Sequence, residues 1–111
     1  MYFLTYPLIF SAMLLIDQPI STFVTGNDLL SNCSGSVTFH LRCVGYIQGV
    51  ADTMQNIRAV YGLSPCPPGG VTERQIEDVV ISDLRANATT RDQSAASLIV
   101  GSIVDAWKCP H

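Results

Sequence analysis

Four cysteines, Cys33, Cys43, Cys66 and Cys109, with His40 lying among them, are the residues of this chain best equipped for chemistry. A thiolate and an imidazole within reach of each other can act as nucleophile and base, and sets of both can hold zinc. The spacing speaks against either use. There is no Cys-x-x-Cys pair, and Cys33-x6-His40-x2-Cys43 matches no zinc-binding spacing. An even set of cysteines in a short chain points instead to two disulfides formed in an oxidising compartment. The remaining inventory is thin: His111 is the other imidazole, and there is no Gly-x-Ser-x-Gly, no phosphate-cradling glycine loop and no His-Glu-x-x-His. Asp52, Glu77, Asp78, Asp83 and Asp105 read as carboxylates on solvated helix faces, and His40, between Phe39 and Leu41, as a half-exposed structural histidine. The chain is expected to be no enzyme and to need no cofactor and no metal.

These side chains must be positioned by a small body. A length of 111 residues sets one domain as the expectation, and a formal charge of -3 offers nothing to a phosphate backbone, so nucleic acid is not an expected partner. With 48% hydrophobic and 14% charged residues, the composition is that of a chain that folds. Residues 2–16 are apolar and uncharged, and the first basic residue is Arg42. As a helix this run spans about 22 Å, short of a bilayer crossing and suited to a signal peptide. Residues 1–22 are therefore read as a signal segment cut between Ser21 and Thr25, and residues 23–111 as a single domain with no stable membrane insertion after the leader is removed.

The expected fold is all-α: a small disulfide-stabilised bundle of about four helices. Thr25-Gly-Asn-Asp28 forms a capping box that opens a first helix ending near Cys33. Ser34-Gly35-Ser36 is a break, and the Ser36 hydroxyl is placed to cap a second helix. On that helix Cys43, Ile47, Val50, Ala51, Met54 and Ile57 share one face, while Gly45 and Gly49 leave room for another backbone. Residues 62–70, with three prolines and three glycines, are a connecting loop. Thr72-Glu-Arg-Gln75 is a full capping box opening a third helix with Ile76, Val79, Val80 and Leu84 buried. Thr90-Arg-Asp-Gln93 is a second full box, expected to open a fourth helix whose inner face is Ala96, Ile99, Val100, Ile103, Val104 and Trp107. Phe39, Tyr46 and Tyr61 are the other aromatics able to anchor a partner surface.

Helix geometry bears on the disulfides. If the second helix ran unbroken to Tyr61, Cys43 would lie about 27 Å from its end. The five residues back to Cys66 reach at most ~18 Å. A Cys43–Cys66 bridge therefore needs the helix to stop near Met54. Of the three possible pairings, Cys43–Cys66 with Cys33–Cys109 is the favoured expectation.

Taken in order, Gly26-Asn27-Asp28-Leu29-Leu30-x2-Cys33, then Cys43-Val44-Gly45-Tyr46-Ile47-x-Gly49-Val50-Ala51-Asp52, then Cys66-x-Pro68 with Val71-Thr72 and Gln75, then Val79-Val80 and a closing Trp107-Lys108-Cys109-Pro110, resemble the Rap/Tai-type immunity proteins. The resemblance covers about residues 25–110. It implies a periplasmic, all-helical protein, often a homodimer, that binds and blocks a peptidoglycan amidase delivered by type VI secretion. Such an inhibitor needs no reactive group. It needs an exposed projection on a rigid base. The polar turn Asn87-Ala-Thr89-Thr90-Arg91-Asp92, between two capped helices, is the expected partner-binding projection, with Arg91 and Asp92 as charged contacts and Asn87, Thr89 and Thr90 beside them. A periplasmic helical chaperone or stress protein is the alternative. That reading would call for an acid-sensitive switch, for which two histidines and no carboxylate cluster supply little.

Overall fold

The structure, a computed structural model, describes residues 22–110. The expected signal segment, apart from its last residue, lies outside the described residues. Helix α1 spans Gly26–Cys33, α2 Val37–Val60, α3 Glu73–Ala86 and α4 Ala95–Trp107, with a 3-10 turn at Ala88–Thr90. Among the described residues there are four α-helices and no strand, in agreement with the all-α expectation. No described helix is long and apolar enough to cross a membrane.

Two of the three capping boxes form as read. Thr25 accepts from the Asp28 amide while the Asp28 carboxylate accepts from the Thr25 amide, and Thr72 and Gln75 repeat the exchange at the start of α3. The third does not open a helix. Thr90 closes the 3-10 turn, donating its hydroxyl to Asn87 O, and α4 starts only after Ser94, whose hydroxyl accepts from the Ser97 amide. The cause is a long-range pairing: Gly26 N donates to Gln93 O, Asn27 N to Arg91 O and Ala95 N to Val24 O. Residues 91–94 are held against the entry to α1 by these bonds, so Thr90 cannot seed a helix there. Ser36 is the N-cap residue of α2 as expected, but its side chain makes no capping bond.

The core is built from Leu29 of α1, Cys43, Ile47 and Ala51 of α2, Ile76, Val80 and Leu84 of α3, and Ala95, Ile99 and Ile103 of α4, closed by the cysteines. Helix α2 is 24 residues long and spans about 36 Å, whereas the 13 residues of α4 span about 20 Å. Ile57, expected on the buried face, is 52% exposed, because it borders an open gap between α2 and α4. That same unbroken length rules out the favoured Cys43–Cys66 bridge. Cys33 pairs with Cys43 across the Ser34–Ser36 turn, Cα to Cα 5.0 Å, and Cys66 pairs with Cys109, Cα to Cα 5.7 Å. Lys108 adopts a left-handed conformation with φ of 49°, which turns the chain out of α4 at the residue before Cys109.

Gly26 sits where α1 meets the 91–94 segment. A Cβ built there would lie 2.5 Å from Leu98 Cδ1 and 2.9 Å from the backbone oxygen of Arg91. Gly26→Ala is therefore expected to lower the unfolding free energy by about 1–3 kcal/mol, as overpacking against backbone does. Urea titration checks this; a change below about 0.5 kcal/mol would show that the 91–94 segment yields freely.

Candidate partner-binding site

All four cysteines are in disulfides, so no thiol is left to act as a nucleophile or ligand. Among the described residues no three His, Cys, Asp or Glu side chains gather as a metal site. His40 bridges elements: its Nδ1 lies 3.0 Å from Cys33 O and its Nε2 3.0 Å from Glu77 Oε1. A carbonyl only accepts, so Nδ1 is the donor to Cys33 O, and Nε2 is the ring atom that faces Glu77. Glu77 is not on the solvated face assigned to it; it is 6% exposed, because the buried arc of α3 extends past Ile76 toward the start of α2. Asp78, one residue on, does stay exposed, in an i,i+4 pair with Arg74 at 3.3 Å.

This pair joins α2 to α3 and can be tested by substitution. Glu77→Ala removes the partner of Nε2 and is expected to cost about 1–2 kcal/mol, whereas Glu77→Gln keeps a hydrogen-bonding group at the same place and should cost less than half of that. Equal losses in the two variants, read from urea midpoints, would mean that packing and not the hydrogen bond holds this contact.

The turn expected to bind the partner is a braced structure. Asn87 caps the end of α3, its Nδ2 donating to Asp83 O at 2.8 Å. Arg91 is turned inward, Nη1 donating to Leu84 O at 3.2 Å, with its Nε buried and without a hydrogen-bond partner. Thr90 is spent on the turn itself. Thr89 and Asp92 remain exposed at its tip. Behind the turn is a cavity of about 250 Å³ lined in part by Asp83, Arg91, Ser102 and Asp105. Five residues that looked equivalent in the sequence thus divide into three that hold the turn and two that project from it.

A larger feature lies between α2 and α4: an open apolar groove of about 690 Å³ lined by Gly45, Gly49, Val50, Met54, Val100 and Val104, among others. Nothing lies within 4 Å of a Cβ built at Gly45 or Gly49, so the room these glycines leave is unfilled within the chain. Val50, Met54, Val100 and Val104, read as buried stripe residues, are only partly buried and edge this groove.

The far end of α2 holds the 61–71 loop through side chains that the periodicity did not single out. Gln55 takes both bonds of an amide: its Oε1 accepts from the Cys66 amide and its Nε2 donates to Pro67 O, each at 2.9 Å. Arg58 donates from Nε to Ser64 O at 2.7 Å and from Nη2 to Pro110 O at 2.9 Å. The helix itself ends in a double return, Leu63 N to Arg58 O and Gly62 N to Ala59 O, with Gly62 at φ 69° supplying the left-handed residue that this ending needs.

No curated protein and no solved structure matches the chain. A family model does, that of the Rap1a immunity proteins, over residues 25–109. The matched stretch begins at the N-cap of α1 and ends at the cysteine that locks the end of α4 to the 61–71 loop, so it takes in the whole braced bundle. The chain belongs to the Rap1a immunity protein family.

Proposed function

We propose that this immunity protein works in the periplasm, where it binds a peptidoglycan amidase delivered by type VI secretion and covers its substrate groove without catalysing anything itself. The observation that carries the reading is the braced turn at residues 87–92, a fixed projection on a disulfide-locked base. Thr89 and Asp92 make its contacts, and Asn87, Thr90 and Arg91 keep it in shape before the partner arrives, which lowers the ordering cost of binding. A frame cross-linked twice and capped at three helix starts also suits an inhibitor better than a chaperone that must expose apolar surface conditionally.

Two further parts of the reading follow. The signal segment is cut ahead of Val24, because Val24 O and the Thr25 hydroxyl already hold α4 and α1, whereas Phe23 is 99% exposed. The groove between α2 and α4 receives a second copy of the chain, whose helix approaches over Gly45 and Gly49 to give a homodimer.

The test asks first whether the neighbouring reading frame encodes a small peptidoglycan amidase, and then pairs that enzyme with this chain. The two purified proteins should form a stoichiometric complex in which peptidoglycan cleavage stops. Replacing residues 87–92 by a Gly/Ser segment of equal length should weaken inhibition at least about tenfold, the scale of losing one to two buried contacts. Full inhibition by the loop-replaced protein would refute the assignment of the turn, and the absence of any complex with the wild-type chain would refute the amidase reading.

A further inference from the structure

The cavity of about 250 Å³ behind the 87–92 turn has polar walls that the chain itself leaves unpaired. Asp83 on α3 and Asp105 on α4 each bring a carboxylate to it. Neither is in an ion pair among the described residues, where the pairs are His40–Glu77 and Arg74–Asp78. Arg91 also lines the cavity, but its Nη1 is engaged by Leu84 O. Ser102 lines it too, is 6% exposed, and its hydroxyl has no hydrogen-bond partner among the described residues. A hydroxyl so buried ordinarily has one, so its partner comes from whatever fills the cavity. Gly101 adds a separate sign. Glycine inside a helix costs stability relative to alanine, yet a Cβ built at Gly101 would meet nothing within 4 Å, so no neighbour in the chain demands it. Its missing side chain keeps the cavity open.

We propose that this cavity receives one lysine or arginine side chain of the amidase, its cationic head paired with the Asp83 and Asp105 carboxylates and hydrogen-bonded to the Ser102 hydroxyl; this rests on the functional reading above. Charge selects the chemistry. Two carboxylates against one guanidinium leave a single negative charge, which one cation neutralises. Size selects a side chain over a free ligand, because pockets that enclose a whole drug-sized molecule begin at roughly 300 Å³. Position selects the partner. Asn87, Thr90 and Arg91 are walls of the cavity and members of the turn, so a protein seated on the exposed tip at Thr89 and Asp92 stands beside it. The turn then blocks the enzyme while the cavity chooses which enzyme is blocked. An effector without the cation would cover two carboxylates and leave them unpaired, a cost that works against the wrong partner.

The experiment measures affinity for a catalytically inactive form of the cognate amidase, by calorimetry at low and high salt, for the wild type, Asp83→Asn/Asp105→Asn, Gly101→Leu and the loop-replaced 87–92 variant. Thermal unfolding follows the integrity of each. The double Asn variant keeps side-chain size and the Asp83 carbonyl that Asn87 caps, and is expected to bind at least tenfold more weakly with a smaller dependence on salt. Gly101→Leu obstructs the cavity and is expected to lose at least tenfold in affinity while its unfolding temperature holds or rises, because leucine favours a helix over glycine. Lost binding is thereby told apart from lost folding. A soluble peptidoglycan peptide with a free amino group, which offers the same cation from another source, is titrated against each protein alone. Undiminished amidase affinity in either cavity variant overturns the proposal. If the wild type then binds the peptide and the cavity variants do not, the cation belongs to the cell wall and not to the effector. Normal binding by the cavity variants beside weakened binding by the loop-replaced variant would remove this site and leave the functional reading standing. A wild-type chain that binds no amidase would remove both.

Discussion

The Cys66→Ala/Cys109→Ala variant is expected to lose about 4 kcal/mol of unfolding free energy, and the Cys33→Ala/Cys43→Ala variant about 2.7 kcal/mol, when each loop is treated as closure entropy removed from the unfolded chain. The difference comes from loop size: the bridges span sequence separations of 43 and 10. Against a total of about 5–15 kcal/mol for a domain, the first loss removes a large part of the stability. The longer bridge has a second consequence that the shorter lacks. It joins the 61–71 loop to the end of α4, so its loss leaves that loop held by the Gln55 and Arg58 side chains and the return at Gly62. Urea unfolding of the two double variants checks the order, and peptide mapping under non-reducing conditions checks the pairing. A smaller loss for Cys66/Cys109 than for Cys33/Cys43 would mean that the unfolded chain is already constrained around the long loop.

That pairing shows where local reading stops. The sequence-based estimate held that an α2 running to Tyr61 would forbid Cys43–Cys66, and α2 does run to Val60. The favoured connectivity required α2 to stop near Met54, whereas Gly62 lets the helix finish intact and then reverse. The capping boxes at Thr25 and Thr72 were legible because each is satisfied within four residues. Thr90 has the same local signature, yet residues 91–95 answer to Val24, Gly26 and Asn27, 64–71 positions earlier, and no window along the chain carries that information.

The same distinction runs through the helix faces. Periodicity located the apolar face of α2 and α4 but not how much of it finds a partner, so Val50, Met54, Val100 and Val104 read as core and stand at an open groove. Burial of Glu77 was invisible because a carboxylate at a stripe's edge is ordinarily solvated; only the imidazole reaching across from α2 makes its position tolerable. Gln55 and Arg58 carried no signal at all. Their bonds are to backbone atoms, which every sequence possesses, and the contact from Arg58 to Pro110 spans 52 positions.

Leu29→Ala is expected to cost about 3–5 kcal/mol, in the upper part of the range for a buried leucine. Leu29 is fully buried, and its helix packs on α2, α3 and α4 at once. The cost of such a truncation depends on whether the surroundings can close over the space left behind. Here they are restrained on both sides: Gly26 and Asn27 are bonded to Gln93 and Arg91, and Cys33 is bridged to Cys43. Helix α1 has only 8 residues, too few to persist by its own hydrogen bonds, so its docking side chain also decides whether it stays helical. The loss should therefore propagate to the 91–95 segment, and the Ala95 amide, which donates to Val24 O at 2.9 Å, should exchange its hydrogen faster in the variant. Leu29→Met, which keeps volume and apolarity, should cost less than about 1.5 kcal/mol and leave that amide protected. A loss under about 1 kcal/mol for Leu29→Ala, with Ala95 still protected, would show that α1 is an appendage of the bundle and not the piece that joins the 87–92 turn to the core.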